Sequence, residues 1–162
     1  GRYRSTHLER YKGGLTVEQA EYGKTLLKLI SVMQFTLPGV PCIYYGDEAG
    51  IDGGEDPFNR GCFPWGKEDA ELIAHYRFLG RLRKEHKVFE EGEFVPVSAA
   101  LGCVAYERRN DEERIMTVAN RNSHSIVYVL PEEGYEALSG GTVSGRELYL
   151  DRETAAIIIK VN

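Results

Sequence analysis

At Val88 the hydrophobic periodicity of this chain changes from that of helices to that of strands. One layer of regular structure cannot satisfy both patterns, so the fold must join a helical segment to a β-rich one. The expected division is residues 1–88 and 89–162. Residues 1–14 are polar and basic without a period, and read as a loop or frayed end. Thr16-Val17-Glu18-Gln19 then matches a capping box, with Thr16 as N-cap and Gln19 reaching back to it. In the helix that follows, Leu26, Ile30, Met33 and Leu37 form one stripe and Lys24, Lys28 and Ser31 another. Leu27, Leu29, Val32 and Phe35 widen the apolar arc, which calls for a large neighbour, most simply a sheet. The helix must stop at Pro38, because the residue before a proline is disfavoured in the helical region. A second helix is expected over about residues 68–87. Acidic Glu68, Asp69 and Glu71 open it and basic Arg81, Arg83, Lys84 and His86 close it, as the macrodipole favours. Leu72, Tyr76 and Leu79 mark its inner face; Arg77, Arg81 and Lys84 mark its outer one.

Between the helices lies Pro38-Gly39-Val40-Pro41-Cys42-Ile43-Tyr44-Tyr45-Gly46-Asp47-Glu48-Ala49-Gly50. A turn of prolines and glycine releases a short apolar run, 42–45, which ends in glycine and two acids. Proline is tolerated at the first residue of a strand, and the run is strand-like and apolar enough for a buried parallel strand. Helix, strand and helix make a piece of an α/β fold, with the acids at the carboxyl end of the strand, where such folds place working groups. Beyond Gly92, strand signals recur over 93–97, 103–109, 114–120, 125–130, 146–150 and 154–161. Asn110-Asp111-Glu112 reads as a hairpin turn, and Gly140-Gly141 with Ser144-Gly145 as another. The β-rich half therefore reads as an antiparallel sandwich.

Composition narrows the functional classes. Hydrophobic content of 42% and charged content of 28% are globular values. A net charge of -5, with its basic residues scattered, argues against nucleic acid as a partner. The local cluster Arg81, Arg83, Lys84 and Lys87 reads as helix-end compensation. No apolar run reaches the ~20 residues a membrane span needs, since Lys28, Ser31 and Gln34 interrupt 26–37. Cys42, Cys62 and Cys103 are odd in number and lack zinc spacing, which reads as buried thiols in a reducing, cytoplasmic compartment, with one bridged pair as the alternative. No signal peptide opens the chain, but it begins at Gly1 rather than Met, and an upstream segment is expected.

The loop 51–66 carries Asp52, Glu55, Asp56, Arg60, Phe58, Phe63 and Trp65. Carboxylates and Arg exchange hydrogen bonds with hydroxyls while aromatic faces cover apolar ring surface, so the mixture suits a sugar. An Asp56–Arg60 pair that merely fastens the loop is an equal reading. Asp47, Glu48, Asp52, Glu55 and Asp56 also raise calcium, against which stands the missing EF-hand spacing. No other cofactor is indicated. The histidines His7, His75, His86 and His124 lie in unrelated contexts, with His75 and His86 expected at the surface. Gly-x-Ser-x-Gly is absent, and adjacent Asp47 and Glu48 on a strand would face opposite ways, so no catalytic set is visible.

The stretch 38–50, then Asp56-Pro57-Phe58-Asn59-Arg60 and Pro64-Trp65-Gly66, closely resembles the α-amylase superfamily, glycoside hydrolase family 13. The pattern is most similar to its neopullulanase, cyclomaltodextrinase and maltogenic amylase branch. Residues 79–86, with their Leu-Arg-Lys-Glu-His ending, resemble the last barrel helix of those enzymes, and the β-rich remainder resembles their C-terminal domain. The resemblance implies the last helix-strand-helix of a (β/α)8 TIM barrel, with 42–45 as the eighth strand, followed by an antiparallel β-sandwich. It also implies that Asp56 and Arg60 contact sugar. The family's catalytic Asp, Glu and Asp all precede this segment, and no His here is followed by Asp. The expectation is therefore the C-terminal part of an α-glucan hydrolase, inactive alone, whose partners are α-glucan oligosaccharide, the rest of the barrel and further copies of the same chain. The competing class is a non-catalytic carbohydrate-binding sandwich, for which Tyr106, Tyr128, Tyr135 and Tyr149 would have to form an exposed row.

Overall fold

The computed structural model describes residues 15–53 and 60–161. Helix α1 (Val17–Thr36) opens with the expected capping box: Gln19 N–H donates to Thr16 Oγ1 at 3.2 Å, and Thr16 N–H to Gln19 Oε1 at 3.0 Å. Helix α2 (Ala70–Glu85) starts and ends two residues inside the expected span, because Asp69 is its N-cap, accepting from Glu71 and Leu72 N–H. A single turn, α3 (Val88–Glu91), leads into eight strands. They are β1 (Glu93–Ala100), β2 (Cys103–Arg109), β3 (Arg114–Asn120), β4 (Ile126–Val129), β5 (Tyr135–Ser139), β6 (Thr142–Ser144), β7 (Glu147–Leu150) and β8 (Thr154–Lys160).

All pairings are antiparallel, in a five-stranded sheet of order β1-β2-β3-β8-β5 and a three-stranded sheet of order β4-β7-β6. Pro96 is accommodated because β1 is an edge strand, with a bulge between Pro96 and Ser98. The expected hairpin joins β2 to β3, where Asn110 Oδ1 accepts from the N–H of Glu112 and Glu113. Between β5 and β6 the chain crosses from one sheet to the other at Gly140. Its φ is +66°, and a Cβ there would lie 2.3 Å from the Ala155 carbonyl oxygen.

Strand alternation sorts the apolar residues into two cores on either side of the large sheet. Ala105, Met116, Val118, Ala156 and Ile158 face the small sheet's Leu130, Leu148 and Leu150. Ile115, Ala119, Ala155 and Ile157 face Leu29, Val32 and Phe35 of α1 and Tyr76, Leu79 and Leu82 of α2. The result is three layers: helices, five strands, three strands. Strand β8 is buried on both faces, which is why it reads as a nearly unbroken apolar run.

Four expectations require correction. Residues 42–45 form no strand and 42, 43, 44 and 45 are exposed; a strand needs a hydrogen-bonding neighbour, and every strand among the described residues lies in the sandwich. The buried face of α1 is Leu29, Ser31, Val32, Phe35 and Thr36, while Ile30 of the expected stripe is 59% exposed. His75 and His86 are not surface residues but half-buried, bonded to Ser31 and Glu113 at 2.7 Å each. The three thiols are free, but Cys42 and Cys62 are exposed rather than buried.

Candidate functional site

The two acids after Tyr45 sit on a short 3-10 turn, Asp47–Ala49, not on a strand end. Gly46 opens it with φ +95°, and a Cβ there would come within 2.3 Å of Ile51 Cδ1, so only glycine fits. Glu48 folds back and accepts from Gly46 N–H at 2.9 Å, which makes it a structural brace for the turn. The Ala49 carbonyl accepts from Asp69 N–H at 3.0 Å, fastening the turn to the start of α2. Asp47 is left to line an open depression of about 370 Å3 with Tyr44, Tyr45, Ile51 and Gly53. Burial, reinforced by the neighbouring Glu48 carboxylate, pushes the Asp47 carboxyl above the ordinary carboxylate range. Such a group donates as well as accepts hydrogen bonds over a wider pH range than an exposed carboxylate.

Aromatic rings frame the depression and the adjoining loop. Tyr44 and Tyr45 lie 5.0 Å apart at 44°, and the Tyr45 hydroxyl donates to the Gly61 carbonyl at 3.0 Å. Phe63 and Trp65 pair at 4.6 Å, with Trp65 81% exposed. Arg60 is exposed on the same loop, whereas Asp56 lies outside the described residues. Asp52 is turned toward the backbone, accepting from Leu15 N–H at 3.2 Å. Among the described residues no three His, Cys, Asp or Glu side chains gather closely enough to hold a metal ion. Tyr44 and Tyr45 were hidden from sequence reasoning by the strand reading; the signal that marks them is a pair of adjacent tyrosines directly before a glycine. A concave surface with tilted aromatic rings and a raised carboxyl suits a polyhydroxylated, largely uncharged ligand.

The four tyrosines expected as a row on the sandwich do not form one. Tyr106 and Tyr135 are buried at 2% and 4% exposure. Tyr135 donates to Glu107 at 2.6 Å, and burial holds its hydroxyl far above the usual tyrosine range. Tyr128 is half-buried against Ser98 at 2.9 Å, and only Tyr149 stands open.

No protein-family model matches the chain. It is 39% identical to a cyclomaltodextrinase of Bacillus sp over 71% of its length and 21% of that enzyme's. To a maltogenic α-amylase of Bacillus acidopullulyticus it is also 39% identical, over 68% of its length and 20% of the relative's. The chain thus spans about a fifth of the length of the curated relatives it matches. Among solved structures, an α-amylase from Geobacillus thermoleovorans in complex with acarbose superposes with a TM-score of 0.72 at 29% identity, covering 84% of this chain and 33% of that one. A cyclomaltodextrinase superposes with a TM-score of 0.75 at 30% identity, over 91% of this chain and 28% of that one. Helices packed on an amylase-type C-terminal β-sandwich define the class: the chain belongs to the α-amylase superfamily, glycoside hydrolase family 13, as the counterpart of its members' C-terminal portion. Within that superfamily it is similar to the cyclomaltodextrinases, maltogenic amylases and amylopullulanases.

Proposed function

We propose that the chain is the C-terminal part of an α-glucan glycoside hydrolase, where residues 1–88 close a (β/α)8 barrel and 89–162 form the appended sandwich. The observation that carries this is the 39% identity over 119 residues to a cyclomaltodextrinase, on a backbone that superposes with the same class of enzyme. Residues 42–45 would take the place of the eighth barrel strand once the rest of the barrel supplies hydrogen-bonding neighbours. The Asp47 depression and the loop with Asp56 and Arg60 would then form one wall of the substrate cleft. The relatives' names indicate cyclodextrin, starch and pullulan as the kinds of substrate the cleft would receive.

Glycoside hydrolysis requires two carboxyl groups facing each other across the scissile bond, about 5–9.5 Å apart. Glu48 and Asp52 are committed to backbone N–H groups, so neither is held ready to act as one of such a pair beside Asp47. Alone it binds but does not hydrolyse. Two measurements on one preparation test the reading. Incubation with maltoheptaose or β-cyclodextrin should release no maltose, and titration with acarbose should change the fluorescence of Trp65, the only tryptophan. Arg60→Ala should weaken that titration about tenfold, a loss of ~1.4 kcal/mol. Maltose release by the purified chain would refute the division of labour; a silent Trp65, or an unchanged titration in the variant, would refute the cleft wall.

A further inference from the structure

The outer face of the three-stranded sheet carries an aromatic ring that the sandwich core does not use. Tyr149 of β7 lies directly opposite Val127 of β4 and Thr142 of β6. Val127 and Tyr149 are 51% and 46% exposed. The Tyr149 hydroxyl donates to the Glu147 carboxylate two residues back on the same strand, which fixes the tilt of the ring. Beside it opens a depression of about 330 Å3 lined by Ser125, Val127, Gly141, Thr142, Tyr149 and Asp151, among others. Gly141 brings no side chain into that space.

The polar rim is held from inside the sandwich. Asn120, fully buried, donates from Nδ2 to the Asp151 carbonyl at 2.9 Å and to the His124 carbonyl at 3.0 Å, setting both loops that border the depression. The Asp151 carboxylate accepts from the Ser125 hydroxyl at 3.2 Å and keeps its remaining lone pairs toward solvent. The lining therefore offers one aromatic face, one carboxylate and two hydroxyls, with no cationic side chain among the lining residues. An anionic ligand is disfavoured by that set. A flat ring with an apolar C–H face and a rim of hydroxyls fits it: the face stacks on the tyrosine and the hydroxyls donate to Asp151. The volume is at the lower end of the ~300–1,000 Å3 typical of small-molecule sites, room for a short segment rather than a long chain.

We propose that this face is a second, non-catalytic glucan site, with a pyranose ring stacked on Tyr149 and its hydroxyls held by Asp151, Ser125 and Thr142. It is separate from the Asp47 depression, because the five-stranded sheet stands between the small sheet and the helices. The choice of an α-glucan as the sugar rests on the function proposed above; the site itself does not.

The test is maltoheptaose titration of the full chain followed by backbone amide NMR, with Trp65 fluorescence as an independent report on the cleft side. Amides of 125–127, 141–142 and 149–151 should shift in the wild type. Tyr149→Thr, which keeps a strand-compatible residue at an exposed site, should weaken those shifts about tenfold or more while leaving the Trp65 response unchanged. Tyr149→Phe, which loses only the link to Glu147, should retain most of the binding. Shifts at these amides with a silent Trp65 would uphold this site while the cleft reading fails. Absent shifts there, or shifts that persist undiminished in Tyr149→Thr, overturn it whatever Trp65 does.

Discussion

Ser31 of α1 directs its hydroxyl hydrogen to the Lys28 carbonyl at 3.0 Å, so its oxygen is free to accept the Nε2–H of His75 on α2 at 2.7 Å. The contact is part-buried, and Ser31 itself is 1% exposed. Burial, with the Lys28 ammonium nearby, lowers the pKa of His75 below the ordinary imidazole value. The fold therefore favours the neutral ring, and the unfolded chain binds more protons below about pH 6.5. By linkage, stability is full above that pH and is lost as the pH falls through it. Asp69 works in a different window: its bond to Lys24 and its cap to Leu72 N–H hold its carboxyl below the usual range, so its contribution persists until well into acid. His75→Gln keeps an N–H donor for Ser31 without the titration. The urea midpoint of the wild type should drop between about pH 7.5 and 5.5, and that drop should shrink in the variant. Equal pH slopes in the two proteins would refute the assignment.

At the scale of elements, the carboxyl end of α1 shows why one part of the fold was legible and another was not. The start of α1 is written locally: Thr16 and Gln19 sit three residues apart, and their reciprocal bonds follow from spacing alone. Its end has no basic residue of its own. The caps come from elsewhere in the chain. Arg83 of α2 donates to the Phe35 carbonyl at 2.8 Å, the Gly39 carbonyl at 2.8 Å and the Phe89 carbonyl at 3.2 Å. Arg108 of β2 reaches the Thr36 carbonyl at 3.4 Å. The sequence shows Arg83 as one of several cations closing α2, and nothing local says that it closes α1 instead. The same limit applies to β5 and β6, absent from the strand signals because Tyr135–Ser139 and Thr142–Ser144 are short and interrupted by polar residues. The strands read directly are either buried on both sides, as β2, β3 and β8 are, or alternate between a more and a less buried face, as β4 and β7 do. For the candidate site, the loop and its acids were visible as composition, whereas the brace formed by Glu48 required the turn geometry. Arg83→Ala leaves three carbonyls without a charged donor, which should cost about 2–3 kcal/mol. Relief of repulsion with Arg108, whose pKa is lowered first by burial and then by that neighbour, offsets only part of it. Arg83→Lys should recover less than half, since an ammonium cannot reproduce the planar fork. Urea denaturation reads both, and wild-type stability in Arg83→Ala would exclude this role.

Across the whole molecule, apolar surface is unevenly distributed. The central strands β2, β3 and β8 are covered on both faces, yet α1 and the segment after it leave large side chains open: Val17 at 82%, Ile30 at 59%, Val40 at 93% and Tyr44 at 51%. Ile30 and Met33 also border a largely apolar groove of about 570 Å3, closed on its other side by Leu101 and Val104 of the β1–β2 hairpin. Leu101 is 93% exposed and holds a φ of +52°, a conformation a non-glycine residue adopts at a cost of order 1 kcal/mol. An open apolar groove of this kind marks a contact surface in soluble proteins. The chain spans about a fifth of its relatives, and on the proposed function the remainder of a barrel would cover the α1 side. In isolation the available cover is a second copy of the same chain, so the sedimentation coefficient should rise with concentration. Ile30→Lys places a charge at the border of this groove, with its aliphatic stem free to lie along the helix and its ammonium in water. Because Ile30 is not part of either core, the variant should fold as the wild type does and shift the equilibrium toward monomer. A wild type that stays monomeric across a hundredfold range of concentration (about 1–100 μM) would refute self-association through this face, since even a weak, ~10 μM contact would be populated at the upper end.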